Sequence, residues 1–181
     1  MKKTVLTFGL IAGAILSAMM LLTMPFVVSN GFENGMLIGY TTMVLAFLLV
    51  FFGVRSYRDN VAGGTVGFGR AAAVGSLIVV VAAVCYVATW ELIYFKLAPG
   101  YAAKIEAHMI EQARSSGESP AEIEEQVADV RRNMELYRNP AINAAITFVE
   151  PLPVGLVFVL VSAGILSRSR RSASGELAAA A

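Results

Sequence analysis

Two carboxylates stand in apolar surroundings, Glu91 in "CYVATWELIYF" and Glu150 in "TFVEPLPVG". A charge at the centre of a bilayer costs roughly 2.5–3.5 kcal/mol on insertion scales, so such groups are shallow, neutralised or turned inward. Two carboxylates in one low-dielectric pocket do not both ionise readily; a shared proton or a bound cation relieves the repulsion. Thr89, Tyr94, Asn143 and Thr147 are the polar side chains near enough in sequence to join such a site. Pro151 and Pro153 remove two backbone donors beside Glu150, which predicts a helix kink and freed carbonyls. Glu91 and Glu150 therefore have two readings. They are a proton- or ion-responsive polar site fed from one face, or structural groups that satisfy freed backbone.

Other chemistry lacks parts. "GGTVGFGR", residues 63–70, has the glycines of a phosphate loop but follows an apolar helix and lacks G-K-[ST]. It reads as a turn, with Phe68 at the interface. His108 is the single histidine, and with Glu111 one turn on it makes two ligand candidates, too few for a metal site. No serine or cysteine has a histidine base in reach, so a hydrolytic triad is missing. Cys85, the single cysteine, reads as a small buried hydrophobe. The expectation is a non-enzymatic protein with no metal and no cofactor.

The elements that must position these residues are written in the hydropathy. Of 181 residues, 57% are hydrophobic and 15% charged, with a mean hydropathy of +0.68. Soluble domains sit near 45–50% apolar and about 25% charged, so an all-α integral membrane protein is predicted. The apolar residues fall into blocks at about 4–28, 36–54, 71–95 and 141–167. Each is long enough for a ~30 Å hydrocarbon core, which takes about 20 helical residues. The first block is too long for a signal-peptide core and has no small-x-small cleavage site, so it reads as a retained helix. A net charge of +1 gives no reason to expect nucleic acid as a partner.

Lys2, Lys3, Arg55, Arg58, Arg70, Arg168, Arg170 and Arg171 flank three ends of the blocks, and "SNGFENG" has no basic residue. The positive-inside rule then puts both termini and the 55–70 loop in the cytoplasm, with the 29–35 turn and the 96–140 segment outside. Between 99 and 139 the sequence predicts a helical hairpin. Tyr101, Ile105 and Met109 recur four apart, "SSGESP" interrupts, and Ser119-Pro120 with Glu122 makes a helix start. Ile123, Val127, Val130, Met134 and Tyr137 form the second stripe. This hairpin is either a cap over the helices or a partner-binding arm.

Gly9, Gly13 and Ser17 on the first helix, and Gly35 and Gly39 on the second, are small residues four apart that let helices approach closely. They serve packing within one bundle or between copies of a homo-oligomer. The tail 172–181, "SASGELAAAA" from Ser172, is low-complexity and is set apart from the single membrane domain 1–171.

"FFGVRSYRDN", "GGTVGFGRAAAVG" and "NPAINAAITFVEPLPVGLVFVLVSAGIL" together resemble domain-of-unknown-function family 4199, from about Thr4 to Ser167 and in the same order. The resemblance implies a small bacterial inner-membrane protein with four helices and a long outer segment between the last two. It implies no activity and brings no site residues. The expected function is a structural, accessory or interaction component in the lipid bilayer, its hairpin meeting a protein partner. The alternative is a small transporter or proton- or ion-responsive protein using Glu91 and Glu150.

Overall fold

The structure, a computed structural model, describes residues 1–30, 35–98 and 100–167. Seven α-helices run through them: α1 (Lys2–Asn30), α2 (Gly35–Asn60), α3 (Phe68–Leu92), α4 (Tyr101–Ser115), α5 (Pro120–Tyr137), α6 (Pro140–Val149) and α7 (Leu152–Ser167). A π-helical turn, Ile93–Leu97, extends α3 without a break. The described residues contain no strand. The tail 172–181 and the arginines at 168, 170 and 171 lie outside the described residues, as does most of the 29–35 turn.

Four helical stretches are long and apolar enough to cross a membrane: Lys2–Pro25, Leu37–Asn60, Phe68–Leu97 and Pro140–Ser167. Only 28%, 39%, 39% and 22% of their most apolar windows are buried inside the protein. Leu6, Leu22, Leu45, Phe52, Val84 and Leu156 are among the large side chains left facing outward. Apolar surface this extensive is what lipid covers and water does not.

In the bundle, α2 and α3 touch each other and both flank α1 and α7. Phe47, Val50 and Val54 of α2 meet Val74, Ile78 and Ala82 of α3, Ala12 and Leu16 of α1, and Val159 and Ala163 of α7. Close approach is made by glycine. A Cβ on Gly9 would lie 2.7 Å from Val81 Cβ, and one on Gly13 would lie 2.6 Å from Cys85 Cβ. Ser17 continues the same face, its hydroxyl taking a hydrogen bond from Thr89 Oγ1 at 2.7 Å. The Gly9-Gly13-Ser17 stripe thus packs α1 on α3 within the chain.

Gly39 departs from expectation. A Cβ on it would meet nothing within 4 Å, and with Gly35 it lines a cavity. Gly53 and Gly155 do the packing that sequence spacing did not single out; their Cβ atoms would come within 2.5 Å of Ile78 and Val79 side chains. Neither belongs to a small-x-x-x-small pair with a partner in the right place, which is why the pattern missed them. In the α2–α3 connection Gly63 and Gly64 take φ of 70° and 87° and stop the helix. Val66 then plugs the core at 4% exposure, and Phe68 is 49% exposed on the outside of the bundle.

Where the hairpin is expected, α4 and α5 pack on each other. The stripe residues Ile123, Val127, Val130, Met134 and Tyr137 are all half-buried, while the opposite face of α5 is exposed. Ser119 caps α5 with a complete capping box: Glu122 N donates to Ser119 Oγ, and Ser119 N donates to Glu122 Oε2 at 2.9 Å. The Ser119 hydroxyl, donating to Glu122 Oε2 at 2.6 Å, and then the Ser119 backbone N–H hold the Glu122 carboxyl below the usual carboxylate range. A lowered folded value means that the stabilisation is present above the ordinary value of 4.5 and is lost as pH falls through the folded one. Ser119→Ala is therefore expected to cost about 1 kcal/mol and to remove the acid sensitivity of α5. Amide exchange across residues 119–123 checks it; equal acid lability in both proteins would refute the cap's role.

Candidate functional site

The fourth span is two helices rather than one kinked helix. Asn139 starts α6, its Oδ1 accepting from Ala141 N at 3.0 Å and Ile142 N at 3.4 Å, with Pro140 at the first position. Glu150 and Pro151 form the break, and α7 starts at Leu152. Pro151 has no N–H for the carbonyl four residues back, and Pro153 lies in the first turn of α7, where its missing donor costs little. The predicted bend is thus at Pro151, with Pro153 inside the new helix start. Glu150 occupies the break itself.

From there Glu150 reaches across to α3: Tyr86 Oη donates to Glu150 Oε2 at 3.1 Å. Both residues line a cavity of about 310 Å³ at the end of the bundle beneath the hairpin. Met19, Met20 and Met24 of α1, Gly35, Gly39 and Tyr40 of α2, and Trp90 of α3 complete much of its wall. The hairpin supplies Tyr101 and Tyr137, one from each foot. Trp90 and Tyr101 meet edge to face with ring centroids 5.6 Å apart, and Tyr94 lies 6.4 Å from Tyr137.

Asn143 is fully buried and holds this wall together. Its Oδ1 accepts from Trp90 Nε1 at 2.9 Å and from Thr147 Oγ1 at 3.2 Å, and its Nδ2 donates to the Tyr137 carbonyl at 3.1 Å. One amide therefore joins α3, α6 and the end of the hairpin. Of the residues singled out from sequence, Glu150, Asn143 and Thr147 come together here. Thr89 does not: its hydroxyl serves Ser17 and the Cys85 carbonyl on the α1–α3 face. Tyr94 joins the aromatic wall through its ring, but its hydroxyl is buried with no hydrogen-bond partner among the described residues.

Glu91 is not among the residues lining the cavity. It follows Trp90 directly, about 100° further round the helix, and its Oε1 is buried without a hydrogen-bond partner among the described residues. Tyr86 and Trp90 are the cavity residues that sequence reasoning passed over, and Tyr101 and Tyr137 it placed only in the apolar stripes of the hairpin. Trp90 and Tyr86 are four apart on α3, the one available signal, and that spacing also fits plain core packing.

Burial first, then the neighbouring Tyr94 and Glu150, pushes the Tyr101 hydroxyl up to about 12, and Tyr137 is raised for the same reasons of burial and Glu150's charge. A folded value above the ordinary 10.0 means that the hairpin foot is fully stabilised below pH 10.0 and loses that contribution as pH rises towards about 12. Alkaline titration of tyrosinate absorbance, compared with Tyr101→Phe, should lose one late-ionising hydroxyl. Loss of an ordinary one instead would disprove the enclosure of Tyr101.

Such a fold is a helical bundle with four stretches able to span a membrane and a polar, aromatic-walled cavity at one end. More particularly, the chain belongs to the family described as "Protein of unknown function (DUF4199)", whose model matches residues 7–168. No curated protein and no solved structure matches it.

Proposed function

We propose that this chain is a non-enzymatic, multi-pass protein of the bacterial inner membrane, with both termini and the 55–70 loop cytoplasmic and the α4–α5 hairpin outside. The lysines and arginines at the ends of the spans support that orientation. It works as an accessory or interaction component: the hairpin is the contact surface for a protein partner, and the cavity at its foot governs how the hairpin is held. The observation that carries this reading is that Tyr101 and Tyr137 of the hairpin line the same cavity as Glu150. Asn143 bonds the Tyr137 carbonyl from within the fourth span. Whatever changes the cavity therefore acts on the hairpin's attachment.

Orientation is tested on a Cys85→Ala background with Ser116→Cys in the hairpin turn and Thr65→Cys in the α2–α3 connection. A membrane-impermeant maleimide added to intact spheroplasts should label the first and spare the second; the reverse pattern overturns the proposal. Coupling is tested by a photo-crosslinker at Arg131, on the exposed side of α5. The crosslinked partner bands seen in native membranes should be lost with Asn143→Leu, and bands indifferent to that change would oppose the reading.

A second reading is favoured by one observation, the carboxylate of Glu150 standing in a helix break on a cavity wall. On it the protein is a small transporter or a proton- or ion-responsive device. Reconstituted vesicles separate the two. Proton-coupled flux abolished by Glu150→Gln supports transport, and no flux from the unaltered protein supports the accessory role.

A further inference from the structure

We infer that the Glu150 cavity receives an organic ammonium group. This rests on the cavity being the working part of the protein, and it names the chemistry of what enters. Among the described residues lining it there is one acid, Glu150, and no lysine, arginine or histidine. An anion would meet a carboxylate with nothing to balance it, and a wholly apolar guest would leave that carboxylate with the Tyr86 hydroxyl as its one hydrogen-bond partner on the wall. A hard metal ion asks for six or more oxygen ligands, far more than one carboxylate and a few hydroxyls provide. A small organic cation asks for what the wall contains: a carboxylate at one point and aromatic rings around it.

Those rings are Tyr40, Tyr86, Trp90, Tyr101 and Tyr137, drawn from four different helices, two of them the hairpin's. The Tyr86 hydroxyl donates to Glu150 Oε2 at 3.1 Å and so fixes the carboxylate on the cavity wall. Methionines 19, 20, 24 and 43 fill the remainder with soft, polarisable surface suited to methyl or methylene substituents on nitrogen. A volume of about 310 Å³ lies at the lower end of the usual small-molecule range of about 300–1,000 Å³.

The ammonium can come free in solution or on a phospholipid headgroup. A second, more apolar cavity of about 540 Å³ adjoins the first through shared Met24 and Tyr101, and the one charged residue among the described residues lining it is Lys104. A zwitterionic lipid would set its ammonium by Glu150 and its phosphate by Lys104; a free amine would use only the first cavity.

Trp90 is the single tryptophan and lines the cavity, so its fluorescence reports on occupancy. The full chain, purified in mild detergent, is titrated with choline and separately with choline's uncharged tert-butyl analogue. Choline should give a saturable change that the analogue does not, and Glu150→Gln should weaken it by about tenfold or more. Tyr137→Leu, which removes one ring and leaves Glu150 in place, should weaken it as well. Equal responses to choline and its neutral analogue, or no saturable response to choline, overturn the inference. The wild-type comparison needs no variant to fold.

The source is then read in lipid nanodiscs. If the ligand is a headgroup, phosphatidylcholine discs abolish the response that phosphatidylglycerol discs retain, and Lys104→Gln restores it. If it is free, both discs respond alike. Reversed labelling of the hairpin would overturn the orientation proposed above while leaving choline binding intact. A correctly placed hairpin with no choline response would sink this inference alone.

Discussion

Gly13→Leu is expected to destabilise the bundle by about 3 kcal/mol, the upper part of what overpacking costs. The reason is geometric. A Cβ at position 13 would already lie 2.6 Å from Cys85 Cβ and 2.8 Å from its sulfur, on the face where α1 and α3 have their most extensive contact. Gly13→Ala tests the same contact with two effects of opposite sign. Alanine gains about 1 kcal/mol of helix propensity over glycine, while overpacking costs about 1–3 kcal/mol. The clash involves a Cβ and not the tip of a flexible side chain, so the penalty prevails and the alanine protein is the less stable. Adding Cys85→Gly removes both clashing atoms and should recover most of the loss. Unfolding in graded sodium dodecyl sulfate, followed by Trp90 emission, measures all three. If Gly13→Ala changes only the sedimentation of the folded protein and not its unfolding, the stripe joins separate copies and the α1–α3 contact is misjudged.

Asn143→Leu should cost about 2–4 kcal/mol, because it strands a tryptophan N–H and a backbone carbonyl that the amide had satisfied. Leucine fills a similar volume, so the loss comes from hydrogen bonds and not from a hole. Thr147→Val removes only one donor from an Asn143 oxygen that still holds Trp90, and about 1 kcal/mol is expected. The ordering is the test. In Asn143→Leu, Trp90 should also become more quenchable by acrylamide, and the amides near Tyr137 should exchange faster as the hairpin foot loosens. An Asn143→Leu protein no less stable than Thr147→Val would show that the amide is dispensable.

The spans were legible because burial in lipid demands long uniform apolar runs, and those survive any change of neighbours. The α5 cap was equally plain: Ser119, Pro120 and Glu122 settle it among themselves, with no help from distant chain. The cavity was legible only in its α6 half. Glu150 stood out as a charge in an apolar run, but Tyr86, 64 residues away, is an unremarked hydroxyl in a valine- and alanine-rich helix until the fold sets it 3.1 Å from that carboxylate. Glu91 shows the reverse. It too stood out as a charge in an apolar run, yet it is the next residue after Trp90, and that step of about 100° takes it off the cavity wall. Depth along a helix follows from counting; the direction a side chain faces depends on which neighbours the helix meets.

The break at Glu150–Pro151 divides responsibility along the fourth span. Below it, Gly155 against Val79 and Val159 in the core fix α7 to its neighbours. Above it, α6 answers to α3 and to the hairpin. Strain introduced in α6 has no continuous ladder of amides by which to reach α7, so the upper storey can be rebuilt for a different guest while the foundation stays as it is.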